Sequence, residues 1–130
     1  MRTKLPFAVI VRKAEGRYRE KPAVWSSARY LLRQDQVGFT LTQTTVAAGT
    51  KQVMESKNHI EANLVVEGEG LLTDIATGQV HTLHPGDMYT LDKHDRHQLE
   101  AITDMRLVYV FTPALLGPET HDEDGSYPLL

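Results

Sequence analysis

Short β-type runs, each closed by a turn signal, succeed one another along almost the whole chain. Residues 39–46, Phe-Thr-Leu-Thr-Gln-Thr-Thr-Val, alternate apolar and hydroxyl side chains, the period-two pattern of a half-buried strand. Residues 25–33 alternate in the same way, and residues 35–38 supply the turn between the two runs. Further runs follow at 60–67, 71–75, 79–83, 88–91, 98–102 and 105–111. Between them stand Ala48-Gly49-Thr50, Glu67-Gly68-Glu69-Gly70, Thr77-Gly78 and Pro85-Gly86-Asp87, all rich in turn formers. The Glu67 to Gly70 segment reads as a tight hairpin. Turn signals at spacings of roughly 8–12 residues, with almost no helical periodicity, leave an all-β sandwich or barrel. Residues 7–11 are expected to form a first strand and residues 12–23 a loop or short helix. From residue 112 the chain turns polar and breaker-rich, as an extended tail would.

A chain of 130 residues makes one domain, long enough for a core of its own. The net charge of −3 lacks the basic surface that non-specific nucleic-acid binding needs, so no nucleic-acid partner is expected. With no cysteine, disulfides and thiolate metal sites are excluded. Any metal is left to His, carboxylate, Tyr or backbone oxygen, a donor set suited to Fe(II), Mn(II) or Zn(II). No run approaches the about 18 apolar residues of a membrane span, and residues 7–11 are too short for a signal-peptide core. A cytoplasmic protein with no membrane partner is expected.

Parity selects the polar residues of interest. Residues of equal parity share a strand face. If Glu61 points into the barrel, Asn63 and Val65 do too; Tyr89 then accompanies Leu91, and His97 accompanies Leu99. A buried carboxylate without a partner is costly, so an inward Glu61 implies a cation or a donor beside it. Glu61 and His97 are two candidate metal ligands. Tyr89, which alone would be an ordinary core tyrosine, lies between the Pro85-Gly86-Asp87 turn and His97 and is the candidate third; a nearby cation would lower its phenol pKa from about 10. Trp25 and Phe111 are core residues or pocket walls. His59 and His94 read as loop histidines, and Asp92 and Asp95 as turn formers. Glu119 and His121 matter only if the tail folds back over the barrel mouth.

The blocks at 49–68 and 84–97 resemble the paired motifs of the cupin superfamily. Gly49, Glu61, Gly68, Gly86 and His97 match that pattern, whereas Glu55 and Lys57 stand where its two first-motif histidines would be. A closer resemblance is carried by Trp25-Ser-Ser-Ala-Arg29, by Asn58-His59-Ile-Glu61-Ala, by residues 85–97 and above all by the tail from Phe111 to Pro128, which generic cupins lack. Together these resemble ectoine synthase over nearly the whole chain.

The resemblance implies a single cupin barrel, a double-stranded β-helix, over residues 1–130, with residues 1–7 as an extension and 112–130 as a tail or lid over the mouth. It implies a homodimer with an iron(II) ion held by Glu61, Tyr89 and His97. The implied activity closes Nγ-acetyl-L-2,4-diaminobutyrate to the compatible solute ectoine with loss of water, a lyase reaction used against osmotic stress. Implied substrate contacts fall on Trp25, Arg29, Thr44, His59, Phe111, Glu119 and His121, with Glu119, His121 and Tyr89 as candidate catalytic groups. The chain departs from the family at Glu55-Ser56, where members usually carry His-Tyr. It departs at Tyr109, where Cys is frequent, and at Asn63, where an apolar or aromatic residue is usual. Those departures keep two alternatives open: a paralogue cyclising or hydrating a related amino-acid amide, and a non-catalytic cupin that binds a small molecule.

Overall fold

The computed structural model describes residues 18–55, 58–91 and 96–115. The expected first strand at residues 7–11, the 1–7 extension, Ser56, His94, Glu119, His121 and the tail beyond Leu115 lie outside the described residues. The described strands, in chain order, are β1 (Tyr18–Lys21), β2 (Trp25–Leu31), β3 (Thr40–Val46), β4 (Lys51–Glu55), β5 (Ile60–Glu67), β6 (Gly70–Asp74), β7 (Val80–Leu83), β8 (Met88–Leu91), β9 (Arg96–Ala101) and β10 (Met105–Thr112). They form two sheets. The larger runs β1-β2-β3-β10-β5-β8 and the smaller β4-β9-β6-β7. Among the described residues every pairing is antiparallel.

Alternation decides which side chains fill the interior. Thr40, Thr42, Thr44 and Val46 of β3 are buried, and the residues between them are more exposed. The same period buries Met105, Leu107, Tyr109 and Phe111 on β10, and His97, Leu99 and Ala101 on β9. Leu107, Val65, Met105 and Val46 close the apolar core, with Met54, Leu83 and Leu99 from the smaller sheet. Three buried threonines on one strand give this interior an unusual polarity for a packed sheet.

Two expectations need correction. The segment Glu67 to Gly70 is not a hairpin, because β5 and β6 belong to different sheets. It is a corner that carries the chain from one sheet to the other. It packs against the matching corner between β9 and β10: the N–H groups of Ile102 and Thr103 both donate to the Glu69 carbonyl, at 2.9 and 3.2 Å, and the Glu69 N–H donates to Thr103 Oγ1 at 2.9 Å. A glycine-rich turn in sequence carries no mark that tells a hairpin from a corner. Here the reason is space: a Cβ on Gly68 would lie 2.1 Å from the Asp104 carbonyl oxygen, and one on Gly70 would lie 2.6 Å from Met105 Sδ and 2.8 Å from the Glu100 carbonyl oxygen. The second correction concerns the loop at 12–23. Its last residues form β1, which pairs with β2 through Lys21-Pro22-Ala23-Val24. Pro22 takes the second position of that turn, Ala23 follows at φ 64°, and the Val24 N–H reaches the Lys21 carbonyl at 3.0 Å. Tyr-Arg-Glu-Lys has no apolar alternation to betray it, as suits an edge strand.

Beyond β10 the chain is anchored. Leu115 is fully buried; its N–H donates to Thr40 Oγ1 at 2.6 Å and its carbonyl accepts from the Arg33 N–H at 2.7 Å. Among the described residues no helix is long and apolar enough to cross a membrane.

Candidate active site

The register of the larger sheet lines up its inward residues in rows. One row runs Arg29, Thr42, Tyr109, Asn63, Tyr89 across β2, β3, β10, β5 and β8. The next, toward one end of the barrel, holds Thr40, Phe111, Glu61 and Leu91. His59, immediately before β5, is buried, and its ring meets Phe111 edge-on at 6.2 Å. Phe111 in turn meets Tyr109 edge-on at 5.9 Å. From the opposite sheet His97 is buried and faces the Tyr89 ring at 6.4 Å between centroids, inclined by 63°. Glu61, Tyr89 and His97, separated widely in sequence, therefore converge where the two sheets face each other.

Electrostatics at Tyr89 tie this group together. Burial, and then the negative charge of Glu61, push the Tyr89 phenol above its ordinary value near 10; a hydrogen bond from Tyr109 pulls in the opposite direction by favouring the phenolate. A carboxylate facing a phenol in this way is an arrangement that a cation relieves. Among the described residues no set of three His, Cys, Asp or Glu could hold a metal ion, so a metal here needs Tyr89 as well as Glu61 and His97. Carboxylate, phenolate and imidazole are hard to intermediate donors, which fits a divalent first-row cation.

The expected substrate contacts fall into groups. Arg29 is buried, with its Nε 3.4 Å from Ser27 Oγ. It shares the row of Asn63 and Tyr89, and Thr44 lies one row further along with Ser27, Leu107 and Val65. Phe111 and His59 wall the Glu61 end. Trp25 is not part of this group: it pairs with Val46 at the other end of β3 and lines a separate cavity of about 510 Å³ with Val24, Thr45, Glu67, Asp104 and Arg106. Another cavity, of about 470 Å³, opens beside Tyr89 and is lined by Leu72, His81, Leu83 and Met88. Thr42 and Ser27, not singled out from the sequence, are buried beside Arg29. Parity with Thr44 and with Arg29 was the signal that could have found them.

Two of the family departures lie inside the site. Tyr109 and Asn63 are direct cross-strand neighbours, and Tyr109 hydrogen-bonds Tyr89. Asn63 is 1% exposed, and its Oδ1 has no hydrogen-bond partner among the described residues. Leaving such a group unmet costs about 1–3 kcal/mol. Glu55 is different. It neighbours the buried Met54, so it points to the opposite face of β4, away from His97.

This rolled pair of sheets, with the candidate site on its inner face, is a cupin barrel, and an RmlC-like cupin from Shewanella frigidimarina overlays it at a TM-score of 0.61 with 20% identity, covering 75% of this chain and 83% of its own. The crystal structure of ectoine synthase from P. lautus overlays at a TM-score of 0.81 with 41% identity over 95% of this chain and 91% of its own. Residues 10–130 match the ectoine synthase family model. The L-ectoine synthase of Oceanobacillus iheyensis is 52% identical over 85% of this chain and 87% of its own, and that of Saccharopolyspora erythraea is 50% identical over 82% and 78%. The chain belongs to the ectoine synthase family, and it is an enzyme of the lyase class.

Proposed function

We propose that this enzyme closes the ring of Nγ-acetyl-L-2,4-diaminobutyrate, with loss of water, to give ectoine, and that it does so with a divalent cation, iron(II), held by Glu61, Tyr89 and His97. The observation that carries this is the convergence of those three side chains beside an inward arginine, in a chain about half identical to L-ectoine synthases. When bound, the cation supplies a Lewis acid for the acetyl oxygen.

The remaining work belongs to the chain's own residues. Arg29 pairs its planar guanidinium with the substrate carboxylate. That fixes one end of a flexible molecule, so the α-amine meets the acetyl carbon instead of water doing so. Phe111 and His59 wall the Glu61 end and keep it dry. The amine attacks, a C–N bond forms, and the acetyl oxygen becomes a hydroxyl; the C–O bond then breaks, water leaves, and a C=N bond closes the amidine. Glu119 or His121, assigned from the resemblance alone, takes the proton from the α-ammonium and returns it to the departing hydroxyl.

The deciding experiment loads the purified protein anaerobically with Fe(II) and supplies Nγ-acetyl-L-2,4-diaminobutyrate. Ectoine should form, and chelation should stop it; bound iron with no ectoine would sink the assignment. Asn63 and Tyr109 inside the site favour one alternative, a related amino-acid amide as substrate, which a panel of such amides separates. Arg29→Lys is expected to raise KM by roughly 10–100-fold with a smaller change in kcat, since lysine keeps the charge and loses the bidentate fork. An unchanged KM would remove Arg29 from carboxylate recognition.

A further inference from the structure

Asn63 is an inward polar side chain that the mechanism above does not use. It sits between Tyr109 and Tyr89 in register, on the face shared by Glu61 and Val65. Its Oδ1 is buried and lacks a partner among the described residues, and its cross-strand neighbour Tyr109 is hydrogen-bonded to Tyr89. A carboxamide oxygen can only accept. What completes this site must therefore bring an N–H or O–H.

We propose that Asn63 is a substrate-reading residue whose Oδ1 accepts a hydrogen bond from the amide N–H of the substrate, an inference that rests on the ring-closing reaction proposed above. The substrate offers two kinds of N–H. The α-amine must present its lone pair to the acetyl carbon, and it lies one carbon from the carboxylate that Arg29 holds. A substrate held at its carboxylate by Arg29 and extended along the row would place its amide nitrogen further from Arg29, on the side where Asn63 stands. This N–H persists through the reaction. As the hydroxyl leaves and the C=N bond forms, positive charge spreads over both nitrogens, and the N–H becomes a stronger donor. The bond to Oδ1 therefore tightens toward the transition state, which is where an interaction raises the rate.

The test compares the metal-loaded parent with Asn63→Leu on two molecules: the amide substrate, and O-acetyl-L-homoserine, its ester counterpart with oxygen in place of the N–H. Asn63→Leu should lose roughly 10–100-fold in kcat/KM on the amide, while the inhibition constant of the ester shifts less than about threefold. Bound metal should be unchanged, and the melting temperature should hold or rise, because an unmet polar group has been replaced by an apolar one of similar size. Equal losses on amide and ester, or parent-like turnover of the amide, would overturn the role of Asn63 and leave the reaction standing. A parent that turns over no amide would overturn the reaction and this inference with it. If Asn63→Leu does not fold, Asn63→Ala carries the same comparison.

Discussion

Glu61→Ala is expected to leave a folded barrel that neither retains a divalent cation nor forms ectoine. Glu61 is half-buried on β5, its charge is felt by Tyr89, and it supplies the carboxylate of the proposed three-residue donor set. Groups that merely orient metal ligands change metal affinity by about 10–100-fold when removed. Loss of a ligand itself should exceed that, so kcat/KM should fall by more than about 100-fold. Stability should move by less than about 1 kcal/mol, because a partly exposed carboxylate facing another acidic group contributes little to folding. Metal content after dialysis and ectoine formation read the two effects separately. A Glu61→Ala protein that holds one equivalent of iron and turns over like the parent would dismiss Glu61 as a ligand.

The largest stability effect is expected at Gly68→Ala. Gly68 has φ +85°, and the added methyl would fall 2.1 Å from the Asp104 carbonyl oxygen and 2.9 Å from Met105 Cα. Both obstacles are backbone, so neither can swing aside. Left-handed strain of about 1–2 kcal/mol adds to about 1–3 kcal/mol for forcing the two corners apart. At about 3 °C per kcal/mol for a domain of this size, the melting temperature should drop by about 10 °C. Gly78→Ala is the control: its φ is +74°, but nothing lies within 4 Å of the added methyl, so it carries the strain without the clash. Similar melting temperatures for the two variants would show that the corner yields easily and that the contact is not a structural lock.

The inner face was legible in the sequence where alternation was strong. Thr40, Thr42, Thr44 and Val46 follow one parity and are all buried; the pairs Asn63 with Val65 and His97 with Leu99 are inward as parity requires. Two features escaped for different reasons. β1 is a polar edge strand, so it has no apolar face to produce a pattern. The Glu67 to Gly70 corner shares its residue types with a hairpin, and only the approach of Asp104 and Met105 separates them. At the site, the grouping of Glu61, Tyr89 and His97 was legible from strand parity and from the offset of Tyr89 and His97 from the Pro85-Gly86-Asp87 turn. The position of Trp25, at the far end of the sheet from Glu61, was not, since local sequence says nothing about which row of a sheet a strand begins in. The same limit hid that Asn63 and Tyr109, noticed separately as departures, are neighbours in space.

The anchoring of Leu115 has a consequence for the residues that follow. Thr40, which holds it, shares a row with Phe111 and Glu61, so Leu115 sits at the end of the barrel where Glu61 stands. Glu119 is four residues beyond Leu115 and His121 six, so at about 3.5 Å per residue neither can stray more than about 14 and 21 Å from that point. Leu115 is thus the fixed point from which that covalent reach is counted. On the role proposed for Glu119 or His121, that covalent link would make proton exchange with a bound substrate an intramolecular event, at an effective concentration in about the millimolar range. The same segment cut free and supplied as a peptide would have to be present at about that concentration to take its place.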